Sequence, residues 1–440
     1  MRILQSCQNF LSRQLSKTSK FDGRFLLLII IFLYFMPILF STSFFTNYPS
    51  SWDSGLIYPL VPRMLPPFAD MRVVTSGAEC IRLGYDVLIE NPCDPWKRPM
   101  NYPRIWSMPA SWGLDQSHTV VLGIFCGLLF FILTFVTIGR LNYIESLFYA
   151  LILCSPSAML AVERGNNDLI IFILLALSLL IIKSKNLILR SFSYMLILFA
   201  AALKLYPIFA LTSCLKEKRR NFLFIFIFIS IAFGIYLVDN LESLELVSKA
   251  TPRSTGLSYG SKVIFDIVFP KLEKLSYVFL NSNITKLIHI VKLPMLALSL
   301  LIFMFTAYVL AKHGENIYQK EKPLDINRID AFRIGASIYI GTFLIGNNWD
   351  YRLVFLLFTI PQILAWLKSG NRFSLIAGLA LVGIILSTWL SRSTSRVFYL
   401  DELINWLLFL FYSYTLFLTL PKWLKSYVHF QPRDFEASSQ

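Results

Sequence analysis

The chain has 440 residues, of which 56% are hydrophobic and only 15% are charged. Soluble domains carry roughly 25% charged residues, so this composition excludes an ordinary soluble domain. The formal net charge of +15 could suit a nucleic-acid-binding protein, but the basic residues are scattered through the connectors between apolar runs. In a membrane protein such residues set orientation and contact anionic headgroups, so we expect membrane lipids and no nucleic acid as partners.

Apolar runs of bilayer-spanning length recur along the chain, and the alternation typical of β-barrels is absent. The first run follows a basic N-terminal tail and is too long for a cleaved signal, which predicts a signal anchor with a cytoplasmic N-terminus. The sequence therefore predicts an all-α, multi-pass membrane protein with a single membrane-embedded domain over 1–440 and 11 or 12 membrane segments. The expected segments are 25–46, 119–138, 143–162, 168–183, 188–203, 206–215, 221–239, 287–311, 331–346, 351–368, 373–390 and 400–420.

A helix break is predicted between Lys204 and Pro207. Proline lacks a backbone N–H and disfavours helical backbone in the residue before it. Two short helices also keep the basic clusters on either side of 188–215 in the cytoplasm, as the positive-inside rule favours. On this count the outer face receives a large first loop with short helices, 47–118, and a second loop, 240–286.

The first loop offers a candidate general base, Asp70, in the stretch "PPFADMR". Transfer of a sugar to a hydroxyl requires a group that takes up the hydroxyl proton, and a carboxylate can do so. The structural alternative is that Asp70 only caps the helix that follows it. The other acidic residues of the loop that compete for the role are Asp53, Asp86 and Asp94.

Basic, aromatic and cysteine residues are also concentrated in this loop. Arg72, Arg98 and Arg104 could pair with a phosphate, and tryptophan rings could stack on sugars. The alternative is an interfacial aromatic belt that contacts headgroups. Cys80 and Cys93 could form a disulfide in an oxidising compartment, although their spacing alone does not establish one.

The stretch "ERGNND" lies between two apolar runs. Asp168 suits a helix N-cap, and a glycine permits the tight turn. A capped hairpin does not explain charges at an apolar helix end, where ionisable residues are costly and usually functional. The residues singled out for substrate binding here are Glu163, Arg164, Asn166, Asn167 and Asp168.

Two further turns carry polar groups. In "KLYP", Lys204 could hold a phosphate beside Tyr206, or it could extend along the helix to the interface. In "GNNWDYR", the candidates are Asn348, Asp350 and Arg352, although Asp350 could only cap a helix or pair with Arg352. The four His residues are dispersed and no metal or nucleotide motif is present, so we expect no metal and no cofactor.

Taken together, "FADMR", "RGNND", "LKLYP" and "GNNWDYRLVFLLF" resemble motifs of the GT-C superfamily of membrane glycosyltransferases. The branch that this chain resembles is the bacterial polyprenyl-phosphate-mannose-dependent mannosyltransferases. The resemblance implies transfer of a hexose or pentose from a polyprenyl-phosphate donor to a lipid or glycan acceptor at the extracytoplasmic face. It implies Asp70 as the catalytic base, with Arg164, Lys204 and Arg352 holding the donor phosphate.

Other functions remain open from the sequence. A transporter or flippase of lipid-linked glycans would also use broken helices. A polymerase or ligase of lipid-linked glycans would share the basic residues, and an assembly partner without catalysis would tolerate their substitution. The expected location is the bacterial plasma membrane in the cell envelope, with the endoplasmic reticulum membrane as the alternative.

Overall fold

The computed structural model describes residues 21–44, 61, 64–254, 256–279, 282–319, 326–369, 372–390 and 397–427. Its α-helices are α1 Arg24–Phe44, α2 Ala69–Arg82, α3 Thr119–Ile138, α4 Tyr143–Leu153, α5 Pro156–Arg164, α6 Asp168–Ile181, α7 Leu187–Leu203, α8 Arg219–Asp239, α9 Leu241–Ala250, α10 Val263–Phe279, α11 Ser282–Gln319, α12 Ile326–Ile345, α13 Ile360–Lys368, α14 Arg372–Leu390, α15 Phe398–Leu418 and α16 Lys422–Lys425. The 3₁₀ helices are Arg104–Trp112, Gln116–His118, Tyr206–Lys216 and Asp350–Phe358. Two short antiparallel strands, β1 Ser258–Tyr259 and β2 Asn348–Trp349, pair with each other.

The described helices include four that are long and apolar enough to cross a membrane. These are Gln116–Ile138, Arg219–Asp239, Ile290–Gly314 and Phe373–Leu390. Two bent helix pairs raise the number to six if each pair is one span. The fold is therefore that of an all-α membrane protein, with four to six candidate spans by this measure, against the 11 or 12 expected.

Two segments expected as single helices, 143–162 and 351–368, each consist of two helices. The first bends by 56° between α4 and α5, and the second bends by 54° ahead of α13. Proline lies at the start of the second helix in both cases, at Pro156 and within the first turn of α13. Because proline cannot donate to the preceding turn, it ends one helix and begins the next.

The predicted break between Lys204 and Pro207 is confirmed. Helix α7 ends at Leu203, and Lys204 is extended, with φ −149° and ψ 124°. The segment expected over 206–215 is a 3₁₀ helix rather than an α-helix, with Pro207 in its first turn. The chain therefore changes direction at Lys204, and the lysine side chain leaves the end of a helix.

Both predicted loops contain helices. The first holds α2, which a disulfide between Cys80 and Cys93 joins to the following segment. The indole N–H of Trp106 donates to the carbonyl of Leu203 at 2.9 Å, which docks this loop on the end of α7. Residues 240–286, expected as a loop, are largely helical, because α9, α10 and the start of α11 lie there.

Helix α6 is deeply buried in the protein core. Its Leu169, Ile171, Phe172 and Leu175 side chains are fully buried. The ring of Phe172 stacks on that of Phe358, with centroids 4.5 Å apart. Since α6 begins at Asp168, this packing holds the first turn of α6 and its carboxylate in a fixed position.

Candidate functional site

The centre of the candidate site is the carboxylate of Asp168, which is fully buried. Its Oδ1 accepts hydrogen bonds from Lys204 Nζ at 2.5 Å and from the Tyr206 hydroxyl at 2.7 Å. Its Oδ2 lies 3.5 Å from Nε of Arg352. Two cations from separate parts of the chain therefore meet at one carboxylate, which leaves this group of three with one excess positive charge.

The side-chain amide of Asn166 joins this centre to the first loop. Its Nδ2 donates to Asp70 Oδ2 at 2.5 Å, and its Oδ1 accepts from Lys204 Nζ at 3.3 Å. The same oxygen accepts the backbone N–H of Asp168 at 2.8 Å. A single amide group thus separates the candidate base from the candidate phosphate-binding lysine.

Asp70 lies in the first turn of α2, and its side chain is 21% exposed. The N-cap residue of this helix is Phe68, in the left-handed region at φ 58°. The Asp70 carboxylate contacts Asn166 and lies 3.8 Å from Nη1 of Arg98. The capping alternative is therefore wrong as an account of this side chain, because its partners come from other segments of the chain.

The structure gives two of the competing carboxylates other partners. Asp94 has a fully buried side chain and accepts two hydrogen bonds from the Arg98 guanidinium, both at 3.0 Å. Asp86 pairs with Arg104 at 2.8 Å. Asp53 lies outside the described residues. Asp94 therefore orients Arg98 toward Asp70 and does not itself face the amide of Asn166.

The turn that carries Asn166 depends on Gly165. This glycine is the C-cap of α5 at φ 53°, in the left-handed region that favours glycine. A Cβ here would lie 3.1 Å from the Phe68 side chain and 3.2 Å from that of Met71. The prediction that Asp168 is an N-cap is wrong, because Asn167 has that position and Asp168 is the first residue of α6. Its carboxylate is thus free to bind Lys204.

Replacing Gly165 by Ala is expected to destabilise the protein by about 1–3 kcal/mol, because it adds backbone strain and crowding. Gly113→Ala is the matched control, since Gly113 is also in the left-handed region, at φ 74° and ψ 14°, but no atom lies within 4 Å of its added Cβ. The measurement is the thermal unfolding midpoint of both variants in the same detergent. Equal losses in the two variants would contradict a packing role for Gly165.

Arg352 is held by the turn before it and by the second loop. Its Nη1 donates to Oδ1 of Asn348, and its guanidinium lies 4.8 Å from the Tyr206 ring centroid. Asn348 pairs with Tyr259 between the two strands, and the backbone N–H of Asp350 donates to the Leu257 carbonyl at 3.0 Å. The side chain of Arg352 remains 20% exposed, so part of it is open to a ligand.

Aromatic rings enclose Lys204. Its Nζ lies 5.1 Å from the ring centroid of Tyr102 and 5.7 Å from that of Tyr351. Because the lysine is buried and bound to Asp168, the alternative that it extends to the membrane interface is wrong. Sequence reasoning missed both tyrosines. Tyr351 stands next to two predicted residues, whereas nothing in the stretch around Tyr102 pointed to Lys204.

Other predicted residues have partners elsewhere. Arg164 pairs with its neighbour Glu163 at 3.1 Å, and Glu163 also accepts the backbone N–H of Met64. Arg72 donates to Gln116 at 3.5 Å on a different side of α2 from Asp70. Asn167 is fully buried. The cluster formed by Asp70, Asn166, Asp168, Lys204, Tyr206 and Arg352, here called the outer-turn cluster, is thus smaller than the predicted set.

Within the described ranges, no group of three or more His, Cys, Asp or Glu side chains is arranged to hold a metal ion. Comparison with protein-family models, characterised proteins and solved structures found no match.

Proposed function

We propose that this protein is a membrane glycosyltransferase that moves a hexose or pentose from a polyprenyl-phosphate donor to a lipid or glycan acceptor. The observation that carries the proposal is the meeting of Asp70, Lys204 and Arg352 around Asn166 and Asp168. Asp70 is bridged to Lys204 by one amide group, and Arg352 shares the Asp168 carboxylate with Lys204, so the cluster supplies both the base and the cations that such a transfer requires. The motif resemblance points to the same chemistry.

Asp70 takes up the proton of the acceptor hydroxyl in this proposal. The acceptor oxygen bonds to the anomeric carbon of the donor sugar while the bond from that carbon to the phosphate oxygen breaks. The electron pair remains on the phosphate, whose growing negative charge is stabilised by Lys204 and Arg352. The Asn166 amide holds Asp70 and Lys204 at a fixed separation, so the groups are oriented before substrate binds.

A lipid-phosphate donor suits these cations better than a neutral sugar would. Lys204 and Arg352 both lie against Asp168, whose single negative charge balances only one of them. The other carboxylate of the cluster, Asp70, contacts Asn166 and Arg98 instead. An arginine that is partly exposed and held by Asn348 can bind phosphate through its remaining N–H groups. With two cations available, phosphate departure needs no metal in this scheme.

The proposal also includes how the chain is arranged in the membrane. A GT-C-like fold with 11 or 12 membrane segments would bring the outer-turn cluster to the extracytoplasmic face of a bacterial plasma membrane, or of the endoplasmic reticulum. The ion pairs of the cluster lie at helix ends and in turns, not within the middle of a long helix. A transporter would need such groups along its path through the membrane, which makes it the weaker alternative.

The test is transfer of a labelled sugar from a polyprenyl-phosphate donor by the full chain in lipid nanodiscs. Arg352→Gln is expected to lower kcat/KM for the donor by roughly 10²–10³-fold, because it removes a cation from the leaving phosphate. Arg24→Gln is the control, since Arg24 is partly exposed and pairs with Asp22. Equal activity in both variants would contradict phosphate binding by Arg352. In a parallel assay with the full chain in lipid vesicles, movement of donor across the bilayer without product would favour a flippase.

A further inference from the structure

A polar pocket in the first loop lies outside the outer-turn cluster. Its volume is about 340 Å³, and its floor is formed by the buried side chains of Val87, Leu88 and Met100. The polar and aromatic groups that line it are Tyr85, Asp86, Arg104 and Ser107. The ring of Tyr85 is 40% exposed, so an apolar surface is available beside charged groups. The proposed reaction at Asp70 does not use this pocket.

The pocket and the candidate base share one face of α2. At 100° per residue, Asp70, Gly77 and Ile81 lie within about 40° of one another around the helix axis. Ile81 lines the pocket. A Cβ at Gly77 would lie 3.6 Å from Sδ of Met100, so the buried Met100 packs on this face between Asp70 and the pocket. The eleven helical steps from Asp70 to Ile81 span about 16 Å along the helix.

One chain segment lines both places. The backbone N–H of Met100 donates to the Val87 carbonyl at 2.7 Å, which fixes the segment at the pocket. Two residues later, the Tyr102 ring lies 5.1 Å from Lys204 Nζ in the outer-turn cluster. Arg104 then returns to the pocket, where it pairs with Asp86. The segment therefore connects the wall of the pocket to the outer-turn cluster.

The charged pair in the pocket suits hydroxyl groups. Burial alone would raise the pKa of Asp86, but hydrogen bonds from the Arg104 guanidinium and the Leu88 backbone N–H outweigh it, so the pKa is below its usual range. An ionised carboxylate beside a guanidinium offers acceptors and donors to neighbouring hydroxyls. Both side chains are solvent-exposed, at 37% for Asp86 and 53% for Arg104. The carboxylate disfavours an anion, and the polar rim disfavours a purely apolar ligand.

We propose that this pocket binds a remote sugar unit of an oligosaccharide acceptor while another unit of the same glycan presents its hydroxyl at Asp70. This inference rests on the proposed function and narrows its acceptor to a glycan of several units. Tyr85 packs against the apolar face of the bound ring, and Asp86 with Arg104 binds its hydroxyls. The distance along α2 exceeds a single sugar ring, so a monosaccharide cannot occupy both places.

The test measures, by saturation-transfer NMR without donor, how tightly neutral sugars bind the full chain in nanodiscs. The sugars are monosaccharides and tetrasaccharides of mannose, glucose, galactose and N-acetylglucosamine. At least one tetrasaccharide is expected to bind about tenfold more tightly than its monosaccharide. Tyr85→Ala and Asp86→Asn should each remove this preference. The controls Tyr143→Ala and Asp115→Asn, at exposed positions outside the pocket, should retain it.

Two results would overturn the inference: no tetrasaccharide binds better than its monosaccharide, or the preference survives both pocket variants. Because the measurement needs no donor and no turnover, it does not depend on the transferase proposal. Binding through the pocket without any sugar transfer would refute the proposed function and keep the pocket. Sugar transfer without any pocket-dependent preference would support the proposed function and refute the binding of sugar in the pocket.

Discussion

Replacing Asp70 by Asn is expected to lower kcat for sugar transfer by roughly 10²–10⁴-fold, the range in which general bases contribute. An amide cannot take up the proton of the acceptor hydroxyl at this position. It can still accept the hydrogen bond from Asn166, whose Nδ2 lies 2.5 Å from Asp70 Oδ2. The measurement is the initial rate of transfer at saturating donor and acceptor, together with the thermal unfolding midpoint.

The control for this variant is Asp115→Asn, which changes an exposed loop carboxylate that binds Ser117 and His118. It should transfer sugar at the rate of the unaltered chain. If Asp70→Asn keeps most of its activity while folding normally, another group takes the proton, and the base assignment is wrong. If donor binding is also unchanged while kcat falls, the loss belongs to the chemical step.

Replacing Asp168 by Asn is expected to destabilise the protein by about 3–5 kcal/mol, since it leaves Lys204 and Arg352 close together without their shared counter-charge. The measurement is the unfolding midpoint in detergent. Inorganic phosphate should raise that midpoint more in this variant than in the unaltered chain, because the anion replaces the missing negative charge.

The matched control is Asp266→Asn, which removes an ion pair with Lys292 at 2.8 Å between side chains that are each about 30% exposed. Exposed pairs contribute little, so its loss should stay below about 1 kcal/mol. A similar small loss for Asp168→Asn would mean that the two cations do not depend on this carboxylate. Equal phosphate effects in both variants would argue against an anion site at Lys204 and Arg352.

Several helices lie where the sequence predicted them. Apolar runs fix where α3 and α8 begin and end, because long apolar stretches can be buried only as helices or in lipid. Pro207 identified the break after α7 through its missing N–H. Gly165 identified the turn before Asn166, since a positive φ favours glycine. Each of these signals is local, so each can be read from a few neighbouring residues.

Bends and side-chain partners were decided only by tertiary structure. Two apolar runs each form two helices, because the hydropathy of a segment indicates burial and does not indicate where the helix axis bends. The sequence proposed Arg164 alongside Lys204, but the structure pairs Arg164 with Glu163.

For the candidate site too, the sequence indicated the residue types, and only the structure showed their contacts. The residue types at Asp70, Asp168, Lys204 and Arg352 stood out in the sequence because charges beside apolar runs are costly. Their pairing did not, since 96 positions separate Asp70 from the Asn166 amide that binds it. Tyr102 carried no local signal and reaches Lys204 only through the docking of the first loop on α7. Local sequence thus determined which groups are available, and long-range packing determined which of them meet.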